Sequence, residues 1–198
     1  MKIFYKLLPC LLICLWLSGC TLAPTGTVSG APDRTLQTQL ESINGWQIEG
    51  KLAVRSAQAS DSARLQWKQE GEAFDIHLSG PAGLKATHIY GMPGGVIFEQ
   101  GEHTERAGSA ETLSQKLIGW RLPTTELTFW LRGLPSVQHP AKSLHYTPEG
   151  WLAQLEQEGW KIHFSEYRHI DHLVLPGRIE AVRGDTRITL IIKQWKLP

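Results

Sequence analysis

The densest group of chemically capable side chains lies within the ten residues 163–172. His163, Glu166, His169, Asp171 and His172 offer three imidazoles and two carboxylates, a donor set that suits Zn²⁺. His169 and His172 are three apart in a stretch that reads as a loop, so no helix fixes them on one face. Solvated histidines at a strand end are the simpler reading. His77 and His88 fall in strand-like stretches and read as sheet-surface or cavity-edge positions rather than catalytic bases. The pairs Glu70/Glu72 and Glu156/Glu158 flank glycine turns, where solvent favours charge, and read as solubilising. No G-x-S-x-G, Walker loop or G-x-G-x-x-G is present. Gly91-Met92-Pro93-Gly94-Gly95 joins two strand-like stretches and opens no helix. These residues assign no catalytic group, no metal ligand and no cofactor.

The thiols point to different chemistry. All three cysteines, Cys10, Cys14 and Cys20, lie in the first twenty residues. Lys2 and Lys6 precede an apolar run from Leu7 to Leu17, too short to span a bilayer core as a helix. Leu17-Ser18-Gly19-Cys20 then looks like a bacterial lipobox, in which small residues precede a cysteine that is lipidated and becomes the new N-terminus. Residues 1–19 are therefore expected to be a lipoprotein signal peptide, with Cys20 as the lipidation site. Without Lys2 and Lys6 the mature chain holds 18 basic against 19 acidic residues. That balance excludes a polybasic membrane clamp and argues against nucleic-acid binding. Anchoring must come from acyl chains, at about 0.8 kcal/mol per buried methylene. Thr21, not Asp, follows Cys20, which by resemblance to Gram-negative lipoproteins implies the outer membrane. Residues 20–32 are expected to be the lipidated terminus and a flexible tether, since 21–32 are small residues, Gly and Pro without charge.

The elements come from 33–198, expected to be one domain. Of the 198 residues, 41% are hydrophobic and eight are Trp, enough for a sizeable core. Asp33 can cap a short helix carrying Leu36, Leu40 and Ile43. From Trp46 the period becomes two: Trp46, Ile48, Gly50, Leu52 and Val54 point one way, and Gln47, Glu49, Lys51 and Arg55 the other. Leu65-Trp67 and Phe74-Ile76-Leu78 repeat this, with turns at 70–72 and 92–95. Ser109 can cap a helix bearing Leu113 and Leu117. Pro123-Thr124 starts another with Leu127, Trp130 and Leu131, and Gly133-Leu134-Pro135 stops it. Strands resume at about 142–147, 151–157, 160–167, 172–183 and 186–195. About 11 antiparallel strands and three short helices result. Three helices cannot cover so many strands laid flat, so the expected form is a mainly β, incomplete antiparallel barrel with a helical lid over a hydrophobic cavity. Trp46, Ile48, Leu52, Leu65, Trp67, Ile76 and Leu78 are expected to line it, with Leu113, Leu117 and Trp130 from the lid.

Several of these stretches resemble the LolB family of outer-membrane lipoprotein receptors. Gly50-Lys51-Leu52-Ala53-Val54 is similar to the family's first-strand pattern, and Ala63-Arg64-Leu65-Gln66-Trp67 to its A-R-x-x-W strand. Ala110-Glu111-Thr112-Leu113 followed by Trp130-Leu131-Arg132-Gly133-Leu134-Pro135 resembles its lid and W-x-x-G-L-P ending. Trp195 closes the last strand, as in the family. The resemblance implies an 11-stranded half-barrel that accepts the acyl chains of client lipoproteins from the periplasmic carrier LolA and inserts them into the outer membrane. It implies no catalysis, since transfer breaks no bond; a monomer is expected. It also implies a projecting loop after the third family strand, with an apolar residue in an N/G-P-L-G pattern. Here that loop is Gly80-Pro81-Ala82-Gly83-Leu84: Ala82 holds the Leu position, and Leu84 comes two residues later. Leu84 is either the loop tip or the first core residue of the next strand. Two other readings stay open: a lipid-anchored enzyme using the 163–172 histidines, and a structural envelope lipoprotein with a filled core.

Overall fold

The computed structural model describes residues 26–198 apart from 58–59, 84–85 and 119–122. Its strands are β1 (Thr27–Ser29), β2 (Gly45–Arg55), β3 (Ser60–Glu70), β4 (Ala73–Ser79), β5 (Thr87–Met92), β6 (Gly95–Gln100), β7 (His103–Ala107), β8 (Ser143–Tyr146), β9 (Leu152–Gln157), β10 (Trp160–Ser165), β11 (Arg168–Ile170), β12 (Leu173–Leu175), β13 (Arg178–Arg183) and β14 (Thr186–Lys196). The helices are α1 (Arg34–Glu41), α2 (Ala110–Ile118) and α3 (Thr124–Leu131), and a 3₁₀ turn spans Pro81–Gly83. Twelve strands form one sheet in the order β1-β8-β9-β10-β13-β14-β2-β3-β4-β5-β6-β7, and its edge strands β1 and β7 do not pair with each other. The barrel is thus incomplete, as the alternating pattern and the three helices imply.

Three short strands, β1, β11 and β12, exceed the expected count. β1 lies within the stretch read as tether and pairs with β8 in parallel, a departure from an all-antiparallel sheet. Thr27 N–H donates to Lys142 O at 2.9 Å, so residues 27–29 use the otherwise free edge of β8. The long strand expected over 172–183 is two strands, β12 and β13, because Pro176 has no N–H for a ladder. β12 instead pairs with β11 in a separate hairpin. At that corner Gly177 N–H reaches Ser165 O and Glu166 O, and Ile192 N–H donates to Gly177 O at 2.7 Å. A Cβ on Gly177 would lie 2.5 Å from the Arg168 guanidinium.

The same corner is tied to an irregularity in β14. The β14–β2 register slips between Ile192 and Gln194, which bends a strand locally. Arg168 donates to the Ile192 and Lys193 carbonyls at 2.6 and 3.2 Å, pairing groups that the slip removes from the ladder. Opposite, Gly50 comes so close that a Cβ would sit 2.2 Å from Ile191 O. Gly50 is therefore required where β2 and β14 coil together.

The helix ends follow their capping chemistry. Asp33 accepts from the Thr35 and Leu36 amides at 3.0 and 3.1 Å, and the Ser109 hydroxyl accepts from the Thr112 amide at 3.2 Å. After α3, Leu134 N–H returns to Phe129 O and Gly133 N–H to Trp130 O. With Gly133 at φ 74° this is a Schellman stop. Arg132, buried beside it, joins α3 to α1: its Nη1 donates to Leu40 O and Ile43 O at 2.9 and 3.1 Å. No described helix is long and apolar enough to cross a membrane.

Candidate functional site

Strand register carries the even-numbered apolar residues of β2 to one side. Ile48 faces Trp67, Trp67 faces Ile76, Ile76 faces Ile89, and Ile89 faces Phe98. On the other flank Leu52 faces Leu190, Leu190 faces Ile179, and Ile179 faces Phe164. All of these lie on the inner face. They divide into two populations by burial.

Trp46, Ile48, Leu65, Trp67 and Trp130 belong to one packed core cluster. Trp46 contacts Trp67 and Trp195 at ring separations of 5.4 and 5.7 Å, and Trp130 meets Trp160 edge-on at 6.4 Å. Leu113 is also buried, in a separate patch with Val96 where α2 packs on β6 and β7. Leu52, Ile76, Leu78 and Leu117 are only partly buried, the first three packing against that cluster. So are Phe74, Ile89 and Phe98 on the inner face, and Leu127 and Phe129 on α3. Phe74 and Leu127 stand on apolar faces in the sequence, whereas Ile89, Phe98 and Phe129 were missed from it. Ile89 and Phe98 carried a signal, since they alternate in phase with Ile76 once the hairpin turns are set.

The two populations follow from what covers each part of the sheet. α1, α3 and the β11–β12 hairpin lie over β8–β14, where Leu155, Phe164, Leu175 and Ile192 are all buried. The void left beneath α1, edged by Leu36, Leu40, Leu134 and Trp151, is only about 20 Å³, room for about one water. On the other flank, among the described residues, α2 packs on β6 and β7. It is held by an ion pair from Lys116 to Glu105 on β7 and by a hydrogen bond from Thr124 to Glu111. Burial pushes the Glu111 carboxyl up, but hydrogen bonds from Thr124, Ser109 and nearby backbone amides outweigh it and hold the group below its usual range.

Two polar side chains on the covered side make internal hydrogen bonds. Gln157 accepts from Trp130 Nε1 and Ser136 N–H at 2.9 and 3.0 Å. Its amide donates to Ser136 O and His139 O at 2.8 and 2.5 Å. Tyr167 donates to Leu152 O at 2.5 Å, and burial raises its phenol far above the usual value.

The histidines of 163–172 do not converge. His163 is on β10 opposite Glu180, His169 is on β11 against Trp151, and Glu166 and Asp171 are turn residues at positive φ. Their donor atoms form none of the metal-ligand groupings among the described residues; the grouping that does form is Asp75, His77 and His88. In the loop after β4, Pro81, Ala82 and Gly83 make the 3₁₀ turn, with Gly83 at φ 77°. Cys20, Leu84 and the side chain of Ala82 lie outside the described residues.

Comparison with known proteins agrees with this architecture. A family model described as outer membrane lipoprotein LolB matches residues 44–195. The outer-membrane lipoprotein LolB of Cellvibrio japonicus is 42% identical over 202 residues, covering 98% of each chain. That of Stutzerimonas stutzeri is 40% identical, covering 96% of this chain and 94% of its own. Among solved structures, a LolA superfamily protein from Nitrosomonas europaea superposes with a TM-score of 0.54 at 11% identity, covering 82% of this chain and 93% of its own. That likeness is one of fold. The chain belongs to the LolB family of outer-membrane lipoproteins.

Proposed function

We propose that this chain is a lipid-anchored receptor that takes the acyl chains of lipoproteins onto the inner face of β4–β7 and passes them to the outer membrane. The observation that carries the reading is the partly buried apolar inner face formed by Phe74, Ile76, Leu78, Ile89 and Phe98. Apolar side chains left only partly buried on a sheet face suit contact with a hydrocarbon chain. Leu52, Leu117, Leu127 and Phe129 border it. Trp46, Ile48, Leu65, Trp67, Leu113 and Trp130 support it as packed core. Each methylene that leaves water there contributes about 0.8 kcal/mol.

The donor in this reading is a periplasmic carrier of the LolA kind. Transfer needs no bond cleavage and no nucleotide: it runs downhill if this face holds acyl chains better than the carrier does and the bilayer holds them better still. Cys20 supplies the anchor and 20–32 the connection to the domain, so the mouth faces the inner leaflet of the outer membrane. The loop 80–84 then acts at the release step. Pro81 and Gly83 support a tight projecting turn, and an apolar tip gains roughly 1.5–3 kcal/mol on full burial in lipid.

A two-step transfer assay tests this, scoring receptor-bound and membrane-inserted lipoprotein separately. The full chain in liposomes should accept labelled lipoprotein from the carrier and insert it. Cys20→Ala should lose fatty-acid labelling yet still accept cargo. Leu84→Glu should accept cargo and release it poorly, whereas Ala82→Leu should keep or raise insertion. Failure of the full chain to take up cargo would overturn the receptor reading, and unfolding of Leu84→Glu would make Leu84 core.

A further inference from the structure

The opposite, solvent-facing side of the same strands carries a second arrangement. The register sets His77 on β4 directly across from His88 on β5, and His88 across from Glu99 on β6. Asp75, two residues before His77, shares their face. The imidazole rings stack with centroids 4.1 Å apart and planes 9° apart. Each Asp75 oxygen takes one ring: Oδ1 lies 2.8 Å from His77 Nε2, and Oδ2 lies 3.0 Å from His88 Nε2. One donor atom from each residue lies within 4.8 Å of the others. All three side chains are reachable from solvent, His88 being the most covered at 29% exposure.

We propose that Asp75, His77 and His88 form a binding site for a divalent transition cation of the zinc class. A tetrahedral ion with bonds of about 2.0–2.1 Å holds its ligands roughly 3.4 Å apart, so small side-chain rotations bring the three donors into range. Two imidazoles and a carboxylate select borderline ions such as Zn²⁺ over Mg²⁺ or Ca²⁺, which prefer all-oxygen sites.

The surroundings orient the ligands. Glu99 is held by Tyr90, whose hydroxyl donates to Oε1 at 3.1 Å. Its other oxygen faces His88 Nδ1 at 3.6 Å. Asp75 Oδ2 accepts from His88 Nε2–H at 3.0 Å, so a cation would take the place of that proton while Glu99 stays beside Nδ1. Carboxylate–histidine–metal relays are the usual outer support of such sites. An open recess of about 420 Å³, bordered by Gln66, His77, His88 and Glu99, gives the ion's remaining position to water or an exogenous ligand. The bound ion clips β4 to β5 one residue pair from the end of their ladder, at the base of loop 80–86. The site stands independently of the proposed use of the inner face.

The test is calorimetric titration of ZnCl₂, with MgCl₂ alongside, into the chelator-treated full chain in detergent micelles. One equivalent of Zn²⁺ should bind, Mg²⁺ should not, and Zn²⁺ should raise the melting temperature because it binds the folded state. His77→Ala and His88→Ala should each weaken binding at least about tenfold, and Glu99→Gln by roughly 10-fold or more. The His163→Ala/His169→Ala/His172→Ala variant should bind as the parent does. His77→Gln, which keeps a polar side chain on the exposed strand, must behave as His77→Ala, with melting in chelator unchanged. Co²⁺ should give a visible ligand-field band that is absent in the His77→Gln/His88→Gln variant. The site is overturned if the parent takes up no saturable Zn²⁺, or if stoichiometry and affinity persist in that double variant.

Discussion

The two flanks of the sheet are built from the same alternating pattern and end in different states. On β8–β14 the inward residues are sealed: Leu155 is 2% exposed and Ile192 fully buried. On β4–β6 the equivalent positions Ile76, Ile89 and Phe98 are only partly buried. Alternation decides which side chains face inward, but it does not decide whether anything covers them. The covered flank has two helices and a hairpin above it, fastened by Arg132 and Gln157. The open flank has α2, joined by Glu105–Lys116 and Glu111–Thr124. One flank buries its apolar surface in the core, and the other leaves part of it open for the proposed ligand.

Matched charges test that difference most severely. Leu155→Glu would bury an unpaired carboxylate at a cost of several kcal/mol, against a total stability of about 5–15 kcal/mol. It should not yield folded protein by circular dichroism. Ile76→Glu can turn its charge to solvent and should fold, yet accept little cargo in the transfer assay. Equal damage to folding from both would erase the distinction between the flanks.

Trp130→Ala is the next largest. It removes a ring that is 1% exposed, together with its bond to Gln157. The expected loss is about 3–5 kcal/mol, seen as a melting temperature lower by on the order of 10 °C. Phe129→Ala, one residue away but only partly buried, should cost clearly less stability and more cargo binding.

Gln157→Leu keeps the volume but strands the polar groups of Trp130, Ser136 and His139 in the core. An unsatisfied buried group costs about 1–3 kcal/mol. Denaturant melts should show that loss with little change in cargo uptake, sharpening the separation between the flanks.

The smallest effect concerns acid. The folded Glu111 carboxyl sits below its usual value, so its contribution is present above the unfolded pKa of about 4.3 and is lost as pH falls through the folded value. Hydrogen exchange of α2 should therefore accelerate at acid pH before that of α1, and Glu111→Gln should remove this difference. Simultaneous opening of both helices would mean that α2 is no more loosely held than α1.

Much of the fold was legible along the chain because its causes are local. Period-two alternation set the strands and their inward faces, Asp33 and Ser109 marked helix starts, and Gly133-Leu134-Pro135 marked a stop. The breaks had weaker signatures. Pro176-Gly177 splits an apolar run that otherwise reads as one strand, and β1 exists only because β8 offers it an edge. The metal-ligand grouping shows the limit most clearly. The histidines close in sequence, 163 to 172, are separated by a strand end and two turns, whereas His77 and His88, eleven positions apart, are brought ring to ring by hairpin register. Composition, face and family motif belong to the sequence itself, since each depends on neighbours along the chain. Which inward residues stay open, and which distant side chains meet, depended on how helices and hairpins divide the cover over the sheet, and only the packed tertiary structure could decide that.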